Sequence, residues 1–287
     1  MNARTPDILD LALAEDIGAG DITAKWFTLP GSRACADIIA RETACLAGSK
    51  VAAEIFHRVD PSLEVHLKVP DGTALEKGDV VMTVQGASSS ILTTERTALN
   101  FIQRLSGVAT AARQFVEAVC GTQATILDTR KTTPGLRLLE KAAAASGGVH
   151  NHRVGLHDMF LVKDNHLAAG LSIETLQHMI SAAREANPGI RVELEADTLD
   201  QVKSFFALQG VDVVLLDNME PATMREAVRL CPPSIQLEAI GGVNLQTVRQ
   251  IAETGVHFIS VGAITHSARA IDFALDFRPQ QISTNSV

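Results

Sequence analysis

The chain has 287 residues, of which 46% are apolar and 20% are charged, and its formal net charge is -8. This length and apolar content predict a globular protein of one or two domains with a large core, and the negative charge excludes a general nucleic-acid-binding surface, which needs a broad basic face. No stretch approaches the roughly 20 apolar residues that span a bilayer, and acidic residues interrupt the N-terminal apolar pattern, so we expect a cytoplasmic protein without membrane or nucleic-acid partners.

The four cysteines are scattered along the chain, at Cys35, Cys45, Cys120 and Cys231. They form no C-x-x-C pair, and no histidine stands at zinc-finger spacing from them. We therefore predict free, mostly buried thiols, with neither a disulfide framework nor a structural metal site.

The first hundred residues mix one helical pattern with several apolar stretches. An amphipathic pattern predicts a helix from Ile8 to Glu15, and turns at Asp71-Gly72 and Lys77-Gly78 separate strand candidates. The G-x-G of EDIGAGDIT has Thr23 at the third glycine position and no preceding strand, so it does not indicate a dinucleotide-binding turn. We predict an α+β region.

A second helix is predicted in the segment TTERTALNFIQRLSG. Thr93 or Thr94 can cap its start, and Ser106-Gly107 is expected to end it. Arg96 and Asn100, four residues apart, share one face, while the apolar face that we expect to meet a core contains Leu99, Ile102 and Leu105.

From Gly121 onward, apolar strand candidates alternate with helical patterns. This alternation is typical of βα units, and the last four strands repeat about every 22 residues, which favours a barrel over an open sheet. The strand candidates are ATIL, MFLV, IRVEL, DVVLL, SIQLEA and HFISV.

Polar and glycine residues follow these strands, where the carboxyl ends of parallel strands would bring them to one face. In barrel enzymes that face carries the active site. The residues concerned are Asp128 to Lys131, Lys163 to Asn165, Glu195, Asp217-Asn218, Gly241-Gly242 and Gly262-Ala263.

Basic residues concentrate in the same part of the chain. Between Asp128 and His166 lie six of the Lys and Arg residues and four of the nine His, in the runs DTRKTTPGLR, HNHRVGLHD and LVKDNH. This cluster predicts a binding site for a small anion. A solvated charged face is the alternative. His152-Arg153 could likewise be a helix terminus, and we assign structural roles to His57, His66, His178 and His257.

Two glycine loops favour phosphate binding. IGGVN precedes a helical pattern from Leu245 to Thr254, and VGAITHS precedes one from Ala268 to Leu275. Backbone N–H groups at helix starts bind phosphate, so the predicted phosphate-binding residues are Gly241, Gly242, Gly262 and Ala263.

Glu195 and Asp217 each follow a nearly apolar strand, where an unpaired carboxylate is costly. Each needs a cation. Magnesium is one candidate, and pairing with Lys131 or Lys163 is the other. A Schiff base at Lys163 is disfavoured, because an aldolase has no evident use for two phosphate loops and paired acids.

Taken together, the motifs ERTALNFIQRLSGVAT, DTRKTTPGLRLLEK, NHRVGLHD, LVKDNH, VELE, LLDNM, GG and ISVGAITHS closely resemble the quinolinate phosphoribosyltransferase family. The resemblance implies magnesium-dependent transfer of a phosphoribosyl group from phosphoribosyl pyrophosphate to quinolinate, giving nicotinate mononucleotide, pyrophosphate and carbon dioxide in NAD biosynthesis. It implies an α/β fold of type II phosphoribosyltransferases. An N-terminal α/β sandwich (residues 1–106) would join an open α/β barrel (107–267), and a C-terminal segment (268–287) would return to the sandwich.

The resemblance also implies roles for individual residues. Quinolinate would be bound by Arg130, His152, Arg153 and Lys163, and Arg96 would reach the partner's site in a homodimer. Lys131, Glu195 and Asp217 would be catalytic at the ribose and pyrophosphate, the two acids also holding magnesium. The 5'-phosphate would lie against the two glycine loops.

This sequence departs from the family pattern at several positions. Ile240 stands where the family has a serine before Gly241, and Ala142 and Val149 replace an aromatic residue and a glycine. Two alternatives stay open: a paralogue of molybdate-transport clusters acting on another base, and a non-catalytic binding homologue. Oligomers above the dimer are also open.

Overall fold

The structure is a computed structural model that describes residues 7–163 and 172–279. The chain forms two compact units. The first comprises Met1–Thr110, Pro134–Gly147 and Ala268–Val287, and the second comprises Ala111–Thr133 and Gly148–Ser267. The segment Pro134–Gly147, which we placed in the barrel domain, therefore groups with the first unit. No helix among the described residues is both long and apolar enough to cross a membrane.

A four-stranded antiparallel sheet forms the centre of the first unit, in the order β12-β1-β5-β3. Its strands are β1 (Arg33–Ala40), β3 (Glu64–Leu67), β5 (Val80–Ala87) and β12 (Phe273–Phe277), and β2 (Ala44–Cys45) pairs separately with β4 (Ala74–Leu75). Helices of this unit are α1 (Ile8–Ile17), α2 (Ile22–Phe27), α3 (Ser49–Val59) and α5 (Arg137–Ser146). Gly72 and Gly78 have φ of 91° and 101°, which confirms the predicted turns.

The helix predicted from Ala268 to Leu275 is wrong. That segment contains β12, which pairs with β1 from Ala36↔Phe277 to Ala40↔Phe273. Phe273 and Leu275 are buried with Ala274 between them, so they follow the two-residue period of a strand. The C-terminal segment thus returns to the first unit's sheet, as the resemblance implied.

Helix α4 (Ser88–Ala118) is much longer than predicted. Thr94 does not cap it but donates its hydroxyl to the carbonyl of Ser90 inside the helix. Gly107 does not end it either, and a Cβ at this position would overlap the backbone oxygen of Arg269. Glycine permits a close approach of two backbones at this position. The predicted buried face is confirmed, with Leu99, Ile102 and Leu105 at most 2% exposed.

A six-stranded parallel sheet forms the second unit, in the order β6-β11-β10-β9-β8-β7. All six predicted strands are present, as β6 (Thr125–Leu127), β7 (Phe160–Val162), β8 (Val192–Ala196), β9 (Val213–Asp217), β10 (Gln236–Ile240) and β11 (Phe258–Ser260). Within the described part of the chain no ladder joins β6 to β7, so the barrel is open. The helices are α6 (Ile173–Ala186), α7 (Leu199–Phe206), α8 (Pro221–Leu230), α9 (Val248–Ala252) and α10 (Ala263–His266).

Strand register places the acidic residues of this sheet on one face. Glu195 of β8 and Glu238 of β10 both lie beside Leu215 of β9, and Asp217 lies beside Ile240. Side chains two residues apart in a strand share a face, so Glu193 and Asp217 point the same way as Glu195. Alternate residues such as Leu194 and Leu216 are fully buried on the opposite face.

Candidate active site

A cavity of about 120 Å³ in the second unit brings together six of the twelve predicted site residues, whereas Asp217, Arg96 and the glycine-loop residues do not line it. Its cationic wall contains four of the five predicted substrate-binding residues, Arg130, His152, Arg153 and Lys163, together with the predicted catalytic residue Lys131. Glu195, Glu238 and Ile240 also line it. Five of the ten Lys, Arg and His residues of the predicted cluster therefore line one cavity.

Asp128 fixes the loops that supply this wall. It is fully buried just after β6, and its carboxylate accepts hydrogen bonds from the backbone N–H of His152 at 2.8 Å and from Nδ2 of Asn151 at 2.6 Å. The backbone of His150 also pairs with Ile126 and Asp128. A buried carboxylate with such donors is well stabilised, so Asp128 holds the His152 loop against the Arg130 loop.

The two arginines of the wall repel each other. Burial lowers the pKa of the Arg153 guanidinium, and the positive charge of Arg130 lowers it further. Arg153 also donates to the carbonyl of Met159 at 3.3 Å. A bound anion would offset both the desolvation and the repulsion, which makes the wall suited to carboxylates or phosphates.

Lys163 and Glu195 form an ion pair at the end of β7. Nζ of Lys163 lies 2.8 Å from Oε2 of Glu195, whose side chain is 8% exposed. The sequence left magnesium or a lysine as the cation beside Glu195, and the structure places Lys163 there. Asp164, Asn165 and His166, which continue the same motif, lie outside the described residues.

The residue after Asp217, Asn218, contacts the first glycine loop. Asp217 ends β9 and accepts a hydrogen bond from Nδ2 of Asn218 at 3.1 Å, and Asn218 has φ of 51°. Gly241 has φ of 97°, and a Cβ there would overlap the side chain of Asn218. The glycine at 241 is thus required both by its backbone conformation and by the Asp217 loop. Gly242, with φ of 58°, faces open space.

The second glycine loop adjoins Lys131. Gly262 is the N-cap of α10, and a Cβ there would lie 3.0 Å from Cδ of Lys131. The hydroxyl of Thr265 donates to the carbonyl of Lys131 at 2.8 Å. Helix α10 has four residues and begins at Ala263, five residues before the start of the helix that was predicted to follow this loop. Phosphate binding by either loop stays a prediction.

Arg96 belongs to the other unit, where it is exposed on α4 together with Asn100. Leu92, on the same face one turn earlier, is 43% exposed. The predicted common face of Arg96 and Asn100 is therefore solvent-accessible in the single chain.

A buried acid pair that was not predicted from the sequence lies beneath the cationic wall. Glu193 and Glu238 are 0% and 2% exposed, and Nε2 of His152 lies 3.2 Å and 3.5 Å from their nearest oxygens. Burial raises the pKa of Glu193 to about 7. Burial raises the pKa of Glu238 to about 8, with the negative charge of Glu193 contributing. The available signal was an acid inside an otherwise apolar strand, as in QLEAI.

The same three side chains have the composition of a metal site, since their ligand atoms lie within 4.8 Å of one another. The hydrogen bonds of His152 argue against it. Its Nδ1 accepts the backbone N–H of Arg153 at 2.7 Å, so the proton of a neutral ring is on Nε2. A metal would need that nitrogen unprotonated.

Comparisons with known proteins cover nearly the whole chain. Residues 21–106 match the family described as quinolinate phosphoribosyl transferase, N-terminal domain, and residues 108–276 match its C-terminal domain. The probable nicotinate-nucleotide pyrophosphorylase (carboxylating) of Bacillus subtilis is 40% identical over 270 residues, which is 94% of this chain and 92% of that protein. The nicotinate-nucleotide pyrophosphorylase (carboxylating) of Mycobacterium leprae is 39% identical, over 94% of this chain and 96% of its own.

Solved structures agree in fold. The nicotinate-nucleotide pyrophosphorylase of Francisella tularensis superposes with a TM-score of 0.89 at 35% identity, covering 96% of this chain and 98% of that one. Its counterpart from Ehrlichia chaffeensis gives 0.87 at 36% identity, over 97% of this chain and all of the other. Two matching domains, close relatives and a shared fold establish that this chain belongs to the quinolinate phosphoribosyl transferase family.

Proposed function

We propose that this protein is a decarboxylating phosphoribosyltransferase. It transfers the phosphoribosyl group of phosphoribosyl pyrophosphate to quinolinate and releases pyrophosphate and carbon dioxide, so that nicotinate mononucleotide enters NAD biosynthesis. The observation that carries the proposal is the cationic wall of the cavity, with Arg130, Arg153 and Lys163 beside His152. Family membership and the names of relatives 40% identical over 94% of the chain support the same reaction.

The cationic wall matches the charge of quinolinate, a pyridine with two carboxylates. Each well-placed hydrogen bond to a charged group contributes about 1.5 to 3 kcal/mol, so two carboxylates use several cations. Nicotinate lacks one carboxylate and would leave a desolvated arginine or lysine unpaired. We expect discrimination against it of about 100-fold or more.

Electrostatic stabilisation is the main contribution that the chain makes to the transfer step. As pyrophosphate departs, the ribose carbon gains positive charge, and the carboxylates of Glu195 and Asp217 lie on the face of the sheet that would meet it. Lys131 extends the positive wall toward the Gly262 loop, so its ammonium group would meet the departing pyrophosphate while the loop binds the 5'-phosphate. The pyridine nitrogen then attacks the ribose carbon.

The acids also fit magnesium. Asp217 is partly exposed at the strand end, and Glu195 commits Oε2 to Lys163 but keeps a second oxygen. Mg²⁺ is usually held by one or two carboxylates together with substrate phosphates, which suits these residues. Bound there, the ion would neutralise charge on the departing pyrophosphate.

We further propose a homodimer in which Arg96 completes the partner's site. A single chain exposes a run of large apolar side chains on and after α2, including Trp26 at 77% and Phe27 at 87%. Ile22 and Leu29 belong to the same run. Contiguous exposed apolar side chains mark interaction sites. A cytoplasmic location, the absence of nucleic-acid and membrane partners, and assembly beyond the dimer stay predictions.

The experiment is release of carbon dioxide from carboxyl-labelled quinolinate in the presence of phosphoribosyl pyrophosphate and magnesium. We expect release that depends on all three components and is lost in Arg153→Ala. An Asp200→Asn variant, whose side chain is 95% exposed, serves as the control and should retain full activity. Ligand binding without release would indicate a non-catalytic homologue, and transfer to another base would indicate the paralogue.

A further inference from the structure

We propose that Glu238 is the acid that delivers a proton to the pyridine carbon when carbon dioxide leaves it. This inference rests on the proposed decarboxylating reaction and adds a residue to its second half. No role was predicted for Glu238 from the sequence, although it lines the cavity together with Arg153 and Lys163.

The chemistry requires one proton per turnover. After transfer, the pyridine nitrogen is quaternary and carries positive charge. The bond between the ring carbon and the 2-carboxylate breaks, carbon dioxide departs, and the electron pair stays on the ring carbon, stabilised by the adjacent cation. That carbon takes a proton from the carboxyl group of Glu238, which becomes a carboxylate. Water then returns a proton to Glu238, so the enzyme ends each cycle unchanged.

The surroundings of Glu238 keep it protonated. Its side chain is 3% exposed, and among the described residues Oε1 of Glu238 and both oxygens of Glu193 accept no well-formed hydrogen bond. Two desolvated carboxylates this close cannot both ionise. Burial, with the negative charge of Glu193, raises the pKa of Glu238 to about 8, so the neutral acid predominates at pH 7.

Charged groups approach Glu238 from several elements. The His152 loop contributes His152 and Arg153, β8 contributes Glu193 and Glu195, and β7 contributes Lys163 at the cavity wall. The register partners of Glu238 are Leu215 on β9 and Phe258 on β11, and Ser260 of β11 lines the same cavity. The two nearest opposing influences are the acid of Glu193, which favours the protonated form, and the imidazole of His152, which favours the carboxylate.

Glu238 suits the role better than His152. Nε2 of His152 faces the acid pair at 3.2 and 3.5 Å, and its Nδ1 is occupied by the backbone N–H of Arg153. Neither ring nitrogen is therefore directed to the substrate with a proton to give. The imidazole instead lies against the acid pair.

A second cavity, of about 480 Å³, supplies the return path for protons. Glu238 lines both cavities, whereas Glu193 lines only the second. Exposed residues, among them Asn151 and Asp158, also border the second cavity, which therefore opens to water. Glu238 can thus face substrate on one side and solvent on the other, as a donor that must be reloaded each cycle requires.

Glu238→Gln tests the proposal, because glutamine keeps the shape and removes the transferable proton. We expect kcat to fall about 100-fold, the usual contribution of a general acid, while the KM for quinolinate changes less than threefold. Glu238→Asp should recover part of the lost turnover. The wild-type kcat should decline above about pH 8, where Glu238 ionises, and the variant should lack this decline.

The outcomes separate the two proposals. Wild-type protein that releases no carbon dioxide would refute the proposed function itself. An active wild type with Glu238→Gln within twofold of its kcat would overturn the role of Glu238 alone. A loss confined to KM would make Glu238 a binding residue and would also overturn it. If Glu238→Gln fails to fold, wild-type turnover that stays constant to pH 9.5 would overturn the role in its place. Glu253→Gln, at an exposed pair with Arg249, is the matched control.

Discussion

At the scale of the residue, two buried acids of the second unit have opposite surroundings. Asp128 receives a backbone N–H and an amide N–H, so its negative charge is compensated where it lies. Glu238 faces a second carboxylate and a histidine in a poorly aligned contact. The first arrangement holds a charge in a fixed position, and the second favours a neutral carboxyl group that retains its proton.

The protonation of Glu238 should make the stability of the folded chain depend on pH. Glu238 has a pKa of about 8 when folded and an ordinary value of 4.5 when unfolded. The folded state therefore retains a proton that the unfolded state releases, and this contribution to stability is full below about pH 4.5 and lost as pH rises through 8. From pH 6 to 9 the wild-type Tm should fall by at least about 2 °C more than that of Glu238→Gln. If the Tm of the two proteins, measured by calorimetry, falls equally with pH, the prediction is wrong.

Ile240 is the cavity residue at which the family resemblance implies a serine. It ends β10 immediately before Gly241 and lines the cavity wall. Ile240→Ser would add a hydroxyl beside the predicted phosphate loop, and one hydrogen bond contributes about 1 kcal/mol. We expect the KM for phosphoribosyl pyrophosphate to fall about fivefold, with kcat for quinolinate changed less than twofold. An unchanged KM in steady-state kinetics would show that the backbone N–H groups alone set phosphate affinity.

At the scale of the element, helix α4 has a glycine, Gly107, in its interior, although glycine has a low propensity for helices. Alanine in a helix interior normally adds about 1 kcal/mol of stability relative to glycine. Gly107→Ala should instead lower the free energy of unfolding by about 1 to 3 kcal/mol, because its Cβ would overlap the backbone of Arg269. Urea denaturation measures the change. Gln114→Ala, at an exposed position of the same helix, should change stability by less than about 0.5 kcal/mol. Equal effects of the two substitutions would rule out the close approach.

Gly107 and β12 also show which elements the sequence could predict. Strands such as VVLL and their carboxyl-end residues follow from apolar runs, because a parallel strand buried on both faces needs them. Continuation of α4 through Ser106-Gly107 depends on contacts with Ala47 and Arg269, residues far away in sequence. No local pattern contains that information. Phe273 to Leu275, at the end of the predicted helix, likewise pair with β1, more than 200 positions earlier, and this pairing outweighs their helical spacing.

Some residues of the candidate site could likewise be predicted from the sequence, and others could not. Arg130, Lys131, His152, Arg153 and Lys163 were assigned from motifs and strand ends, and they line one cavity. Glu193 and Glu238 were not assigned, because an isolated acid within a strand does not show which histidine or acid will lie opposite. Their proximity depends on the register of three strands and on the Asp128 anchor, which only the folded chain specifies.

At the scale of the whole molecule, the chain distributes its predicted substrate residues between two units. The cationic wall belongs to the second unit, whereas Arg96 lies on the exposed face of α4 in the first. Arg96 could serve the site of its own chain or that of a partner. The family resemblance predicts a partner, and the apolar run around Trp26 and Phe27 offers a surface for one.

Mixing two inactive variants distinguishes these cases. Arg96→Ala and Arg153→Ala should each have little activity as homodimers. If Arg96 acts on the partner's site, a mixed dimer contains one site with both arginines intact, and random mixing should restore about a quarter of the wild-type activity. If Arg96 acts within its own chain, every site in the mixture lacks one arginine and activity stays at the level of the parents.

Co-refolding followed by the carbon dioxide assay measures the recovery, and a mixture of Arg153→Ala with Lys163→Ala is the matched control. Those two residues belong to the same unit of one chain, so that mixture should recover nothing. An Arg96 mixture that stays at the level of its parents would refute the shared site.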